Sequence, residues 1–171
     1  REVPAQVRAA ARGPVRLGLK LMNASFDDAF QCEMIATSGG ADGLTVFNRL
    51  WDADAGVAYG GWDLSDRNLR VLDRCGRGAP PLSGTGNVCS GRMVLEYARR
   101  GCRTVQVHTF LQLPLSSYPA VAGSRTVRAL HALVFEPRDG LIAGLLELET
   151  RGVIARRGGM LHFVDACGGA P

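Results

Sequence analysis

The feature that most constrains the fold is a strand followed by a helix, repeated four times. Short apolar runs alternate with segments of helical periodicity, and Gly or Pro residues separate them. Strands that alternate with helices favour a parallel sheet. The predicted strands are Val15 to Met22, Gly43 to Phe47, Pro81 to Ser83 and Thr104 to Phe110. The predicted helices that follow them are Ser25 to Ser38, Ser65 to Cys75, Ser90 to Arg100 and Ser124 to Phe135.

Four such units are half of a (β/α)8 barrel, which needs about 250 residues, whereas this chain has 171. We therefore expect an α/β half-barrel over residues 1–138, with the end of a helix (Val3 to Arg12) before the first strand. The sheet of a half-barrel has two open edges, which proteins normally cover or pair. A second chain, or another segment of the polypeptide, is therefore expected to complete the barrel.

Residues 139–171 break the strand–helix pattern. Leu141 to Glu149 predicts a short helix, and Val153 to Val164 predicts a hairpin that turns at Gly158-Gly159. We expect a small C-terminal extension that covers the half-barrel or contacts a partner.

Composition excludes several classes of protein. With 46% hydrophobic residues the chain is globular, and no run approaches the ~18 apolar residues of a membrane span. The net charge of +4 comes from dispersed arginines without interleaved aromatic residues, which argues against a nucleic-acid partner. Five cysteines without a C-x-x-C pair, and three scattered histidines, argue against a disulfide framework and a metal site. Reduced thiols predict a cytoplasmic location.

Polar residues lie at the carboxyl ends of the predicted strands, where barrel enzymes place their chemistry. Lys20 is the one lysine among 20 basic residues, and Asn48 offers an amide. The small residues Gly84 to Asn87 precede a helix, an arrangement that lets backbone N–H groups approach an anion. His108-Thr109 follow in the next unit. The set lacks paired carboxylates and a Ser/His/Asp arrangement, so it predicts an anionic cofactor rather than hydrolysis.

Four segments and a glycine pair (Gly60-Gly61) occur in an order and spacing that point to one family. The segments are Leu17-Gly-Leu-Lys-Leu21, Gly39-Gly-Ala-Asp-Gly-Leu-Thr-Val-Phe-Asn48, Leu82-Ser-Gly-Thr-Gly-Asn-Val-Cys-Ser-Gly91 and Gly101-Cys-Arg-Thr-Val-Gln-Val-His-Thr109. In these residues, over roughly Pro14 to Phe135, the chain resembles the C-terminal half of a dihydroorotate dehydrogenase, a flavin-dependent (β/α)8 barrel.

The resemblance implies that the chain binds FMN and acts in pyrimidine biosynthesis, where dihydroorotate is oxidised to orotate. The flavin phosphate would be held near Gly84, Gly86-Asn87 and His108-Thr109, with Gly60-Gly61 in a further cofactor-binding loop. Lys20 would lie beside the flavin ring, and Asn48 would contact both flavin and substrate.

Departures from the family pattern leave alternatives open. Asn87 stands where the family has a glycine, His108 replaces a tyrosine, and Phe110 replaces a small residue. The family's catalytic Cys or Ser base lies before Pro14, so no catalytic residue is assigned in this chain. The alternatives are a catalytically inactive relative that serves as a binding or scaffold module, and another flavin reductase that acts on a pyrimidine-like ring.

Overall fold

A computed structural model of the chain describes residues 2–23, 27–61, 63–75 and 80–168. The chain divides into two compact units, Arg1–Gly86 and Asn87–Pro171. Helices and strands alternate through the first unit and into the second, so the fold is α/β as expected. A boundary between residues 138 and 139 stays a prediction.

The described part of the first unit contains a parallel sheet, three helices and a hairpin. In chain order they are α1 (Glu2–Ala10), β1 (Gly18–Lys20), α2 (Asp28–Ala36), β2 (Gly43–Val46), β3 (Leu50–Asp52), β4 (Val57–Tyr59), α3 (Leu64–Arg74) and β5 (Leu82–Gly84). β2 pairs in parallel with β1 on one side and with β5 on the other. The strand–helix repeat is therefore confirmed for this unit.

The middle strand of this sheet forms the core of the first unit. Leu44, Val46 and Phe47 are each at most 2% exposed, whereas Gly43 and Thr45 are half-buried, so one face of β2 is fully covered and the other partly. α2 begins after Asp27, whose carboxylate accepts a hydrogen bond from the N–H of Phe30 at 2.9 Å. The predicted cap of this helix, Ser25, lies outside the described residues.

Two predictions for the first unit are wrong in detail. β1 covers three residues rather than Val15 to Met22, and Gly18 and Lys20 are exposed, so this strand is not buried on both faces. The predicted loop from Asn48 to about Leu64 contains the β3–β4 hairpin. Leu-Trp and Val-Ala-Tyr flank an Asp-rich turn there, a strand signal that the loop prediction missed.

The second unit is mainly helical. It contains α4 (Gly91–Arg99), β6 (Cys102–Val105), α5 (Arg125–Phe135), α6 (Leu141–Thr150) and 3-10 helices at Thr109–Gln112, Leu115–Ser117 and Phe163–Ala166. Ser90 and Ser124 cap α4 and α5 through their hydroxyl oxygens. α6 packs on α4 around an apolar cluster, which comprises Leu95, Leu145, Leu148, Ile154 and Ala166.

Two further predictions are corrected in this unit. The fourth strand ends at Val105, so His108 and Thr109 follow the strand instead of ending it. The predicted hairpin over Val153 to Val164 is reduced to a single bridge between Arg157 and Met160, although its turn at Gly158-Gly159 is present, with φ of 58° and 79°. Of the described helices, none has the length and apolar character that crossing a membrane requires.

Candidate functional site

Three residues predicted from the motifs lie at one edge of the first unit's sheet. Because β1, β2 and β5 are parallel, their carboxyl ends meet at the same edge. Lys20 ends β1, Asn48 follows β2 by two residues, and Gly84 ends β5. The backbone N–H of Asn48 donates to the carbonyl of Leu21 at 3.0 Å. The structure thus brings Lys20, Asn48 and Gly84 to the carboxyl edge of one sheet.

A buried asparagine pair, Asn23 and Asn68, ties the strand ends together at this edge. Both residues are fully buried. The Asn68 amide donates to the carbonyls of Phe47 at 3.0 Å and Thr85 at 2.7 Å. Its Oδ1 accepts from the Nδ2 of Asn23 at 2.7 Å. The pair therefore joins the segments that follow β1, β2 and β5.

Sequence reasoning missed this pair. Asn68 lies four residues after Leu64 and three before Val71, on the otherwise apolar face of α3. A polar residue inside an apolar helical stripe is a signal that could have found it, because a buried amide needs partners.

Asn48 differs from the asparagine pair in both burial and bonding. Its side chain is half-buried, and it forms no hydrogen bond with any residue in the described ranges. An amide offers two N–H donors and one acceptor oxygen. Asn48 therefore has its donors and its acceptor available to a ligand, whereas those of Asn68 are engaged.

The predicted glycine pair follows the β3–β4 hairpin. A side chain at Gly61 would overlap the ring of Tyr59, whose hydroxyl donates to the Asp63 carboxylate at 2.7 Å. That hydrogen bond raises the pKa of Tyr59. A side chain at Gly60 would meet nothing within 4 Å. The glycine at position 61 is thus explained by packing within the chain, and the one at position 60 is not.

The predicted phosphate turn has a left-handed backbone. Gly86 has φ +94°, and a Cβ there would lie 2.7 Å from Nδ2 of Asn68 and 3.2 Å from the Phe47 carbonyl. Glycine is thus required by the asparagine pair. Asn87, the first residue of the second unit, has φ +52°. Asparagine adopts this region more readily than other non-glycine residues, so the departure from the family's glycine keeps a glycine-like backbone.

His108 and Thr109 lie on the surface of the second unit. Both are exposed, and Thr109 opens a 3-10 helix. Nε2 of His108 lies 3.3 Å from Nε2 of Gln112. The ring of Phe110 packs edge-on against Tyr118, with centroids 5.4 Å apart. That contact accounts for a large residue at position 110, where the family has a small one.

Cys89 lies two residues before the start of α4. Cys89 is half-buried, and burial raises the pKa of its thiol. A thiol with a raised pKa is a poor nucleophile. Within the described ranges, no group of three or more His, Cys, Asp or Glu side chains is placed to hold a metal ion.

Comparison with known proteins yields structural neighbours only. No family model matches the chain, and no curated protein matches it. The crystal structure of DHODH from Eimeria tenella in complex with ferulenol is similar, with a TM-score of 0.57 and 17% identity, over 93% of this chain and 39% of that one. Ligand-free DHODH from the same organism has a TM-score of 0.54 and 16% identity, over 88% and 38%.

These neighbours define the class of fold. The chain has a DHODH-like α/β fold, and it spans about two fifths of the length of the neighbours (39% and 38%). At this level of identity the similarity concerns the fold alone.

Proposed function

We propose that this chain is the C-terminal half of an FMN-dependent oxidoreductase of the dihydroorotate dehydrogenase type. The observation that carries the proposal is Asn48. It occupies the motif position, and its amide, which has no hydrogen-bond partner among the described residues, lies at the carboxyl edge of a DHODH-like sheet, at the same edge as Lys20. Ligands of parallel α/β sheets bind at this edge.

The residues present fit the flavin. The donor and acceptor of Asn48 match a ring edge that carries both N–H and C=O groups, on the flavin and on a pyrimidine substrate alike. Lys20 presents an exposed ammonium, which stabilises negative charge on the reduced ring. The motif resemblance assigns the phosphate to the Gly84 to Asn87 turn and names His108 and Thr109 as further candidates to bind it. A flavin held by these residues would supply the hydride acceptor for the reaction.

The proposed substrate is dihydroorotate, or a similar pyrimidine-like molecule, and the proposed product is orotate. Asn48 would orient the substrate ring, and Lys20 would stabilise charge. No described residue is assigned as the base that removes the substrate proton.

A second chain or segment would complete the barrel. Among the described strands, β1 pairs on one side only, with β2. Val15 and Met22, on either side of this strand, are 41% and 39% exposed. An edge with unpaired backbone groups is a template for another strand, and the DHODH neighbours are more than twice as long as this chain. A cytoplasmic location for the completed protein stays a prediction.

A second candidate is a catalytically inactive relative that serves as a binding or scaffold module. The observation that favours it is that Gly86 is required by its left-handed backbone and by Asn68, while a Cβ at Gly61 would overlap the Tyr59 side chain. Two glycines of the flavin motifs would then be kept for folding alone. In that case Lys20→Ala leaves partner binding and stability unchanged, and FMN does not bind.

The test is a titration of the purified chain with FMN, followed by flavin fluorescence. We expect saturable quenching with a dissociation constant between about 10 µM and 1 mM, or roughly −7 to −4 kcal/mol. Lys20→Ala and Asn48→Leu should each weaken binding about tenfold, or about 1.4 kcal/mol.

Arg16→Ala is the matched control for this titration. It removes an exposed cation at the opposite, amino end of β1, and it should leave the FMN affinity unchanged. No quenching at millimolar FMN would contradict the flavin proposal and favour the scaffold.

A further inference from the structure

The fold brings two cysteines together that the sequence keeps far apart. Cys32 lies on α2 and Cys75 follows the last residue of α3, 43 positions later. Their sulfur atoms are 2.6 Å apart, and both residues are half-buried. A covalent S–S bond measures about 2.05 Å. The absence of a C-x-x-C motif had argued against a disulfide framework, but spacing in the sequence does not exclude a pair that meets through folding.

Contacts between α2 and α3 hold the two thiols in place. Asp28, one turn before Cys32, is 8% exposed and pairs with Arg70 at 3.1 Å and Arg74 at 2.9 Å. The Cys32 thiol donates to the Val71 carbonyl at 3.7 Å, and the backbone N–H of Cys75 donates to the same carbonyl at 3.0 Å. Both cysteines are thus anchored to one turn of α3.

We propose that Cys32 and Cys75 form a reversible disulfide that cross-links α2 to α3. The oxidant is a low-molecular-weight disulfide such as oxidised glutathione. One cysteine thiolate attacks a glutathione sulfur and expels the first glutathione thiolate. The second cysteine thiolate then attacks the protein sulfur of the mixed disulfide and expels the second. The two protons lost by the cysteines end on two molecules of reduced glutathione, so the protein is oxidised by two electrons.

This exchange is slow at neutral pH. Burial, together with the hydrogen bond to Cys32, raises the pKa of Cys75 to about 12. Few Cys75 thiolates exist at neutral pH, and the thiolate is the reactive form. We therefore expect the Cys32–Cys75 cross-link to form under sustained oxidation and to be removed by reduction.

The cross-link closes a loop that contains β2, the β3–β4 hairpin and Asn48. A disulfide removes conformational freedom from the unfolded chain, and a loop of this size should shift the folding equilibrium by about 10³-fold. Oxidation would thus stabilise the segment that carries the candidate site. The proposal does not depend on flavin binding.

The test is peptide mapping of the whole chain after incubation with millimolar oxidised glutathione. Free thiols are alkylated, the protein is digested, and the peptides are analysed by mass spectrometry. We expect a peptide containing Cys32 joined to one containing Cys75, with the loss of two hydrogen atoms, and alkylated Cys89. The oxidised chain should melt at a higher temperature, and dithiothreitol should reverse both changes.

Single-cysteine variants provide the controls. Cys32→Ser and Cys75→Ser should each abolish the linkage and the rise in Tm, whereas Cys89→Ser, at another half-buried cysteine, should keep both. Alkylation of Cys32 and Cys75 in the oxidised sample would overturn the proposal. So would stable glutathione adducts at either position, or linkage of either cysteine to Cys102 or Cys167. The mapping uses the unmodified chain, so its result does not depend on whether a variant folds.

Discussion

Two groups of polar side chains at the carboxyl edge of the first unit's sheet differ in burial and in hydrogen bonding. On the inner side, the asparagine pair is fully buried, and its amides join three strand ends. On the outer side, Lys20 is exposed and Asn48 is half-buried with no side-chain hydrogen bond to the described residues. A buried amide with all its partners stabilises the fold, because removing it leaves unsatisfied carbonyls. An amide without partners is available to a ligand.

The largest expected effect on stability is at Gly86, because any side chain there would meet the buried asparagine pair. Gly86→Ala should lower the free energy of unfolding by about 3 kcal/mol or more, because it adds left-handed strain to a 2.7 Å approach to the Asn68 amide. Urea denaturation measures the change. Gly60→Ala is the control, since its Cβ would meet nothing within 4 Å. Equal losses at the two glycines would show that Asn68 does not constrain position 86.

Asn68→Leu tests the inner side of the edge directly. It removes three hydrogen bonds and leaves the buried carbonyls of Phe47 and Thr85 without their amide donor. We expect a loss of about 3 kcal/mol in the free energy of unfolding. Asn48→Leu, the same change on the outer side, should cost less than about 0.5 kcal/mol. If both variants lose the same stability, the two regions do not differ as described.

A smaller change in stability is expected at Asn87, where only the left-handed backbone conformation is tested. With φ +52°, Asn87→Ala should cost about 1 kcal/mol, because a Cβ is disfavoured in the left-handed region. Asn87→Gly should be neutral or slightly stabilising. Thermal unfolding of the two variants distinguishes them. Equal stability of the alanine and glycine variants would contradict a left-handed residue at this position.

The contribution of Asp28 to folding stability should depend on pH. The asparagine pair does not titrate, so its contribution should not. The hydrogen bond from Arg70, aided by the charges of Arg70 and Arg74, lowers the pKa of Asp28 below its ordinary value of 3.8. A lowered pKa stabilises the fold above the unfolded value, and this stability is lost as the pH falls through the folded pKa. The difference in Tm between wild type and Asp28→Asn should therefore be full at neutral pH and shrink below about pH 4.

Asp66→Asn, at an exposed carboxylate on α3, is the control for this pH series. A Tm difference for Asp28→Asn that stays constant down to pH 2 would contradict the assignment.

Local signals in the sequence predicted most helices and the motif positions. The predictions for α3 to α6 agree with the structure to within one residue at each end, because apolar periodicity marks these helices and serine caps mark the starts of α4 and α5. Ser65, the predicted cap of α3, lies inside that helix, which begins at Leu64 without a side-chain cap. The extent of β1 and β6 was wrong, since a run of apolar residues does not show where strand pairing stops. Lys20 was found because it is the one lysine and lies in an apolar run, and Asn48 was found because it ends one.

Contacts between distant segments could not be predicted in the same way. The bond between Asn23 and Asn68 joins residues 45 positions apart, and the Cys32–Cys75 contact spans 43. Neither has a short-range pattern, since both depend on how α3 packs against the rest of the first unit. Motif spacing locates candidate ligand-binding groups, but only the structure shows which polar groups already have partners.

The most direct test of the central claim is a nuclear magnetic resonance titration of the ¹⁵N-labelled chain with FMN, following the asparagine side-chain amides. We predict that the Asn48 amide resonances shift with FMN concentration and that those of Asn23 and Asn68 remain in place. The spectrum of Asn48→Leu, which lacks this side-chain amide, identifies the Asn48 resonances. Binding of FMN without a shift at Asn48, or shifts confined to the buried asparagine pair, would contradict the account.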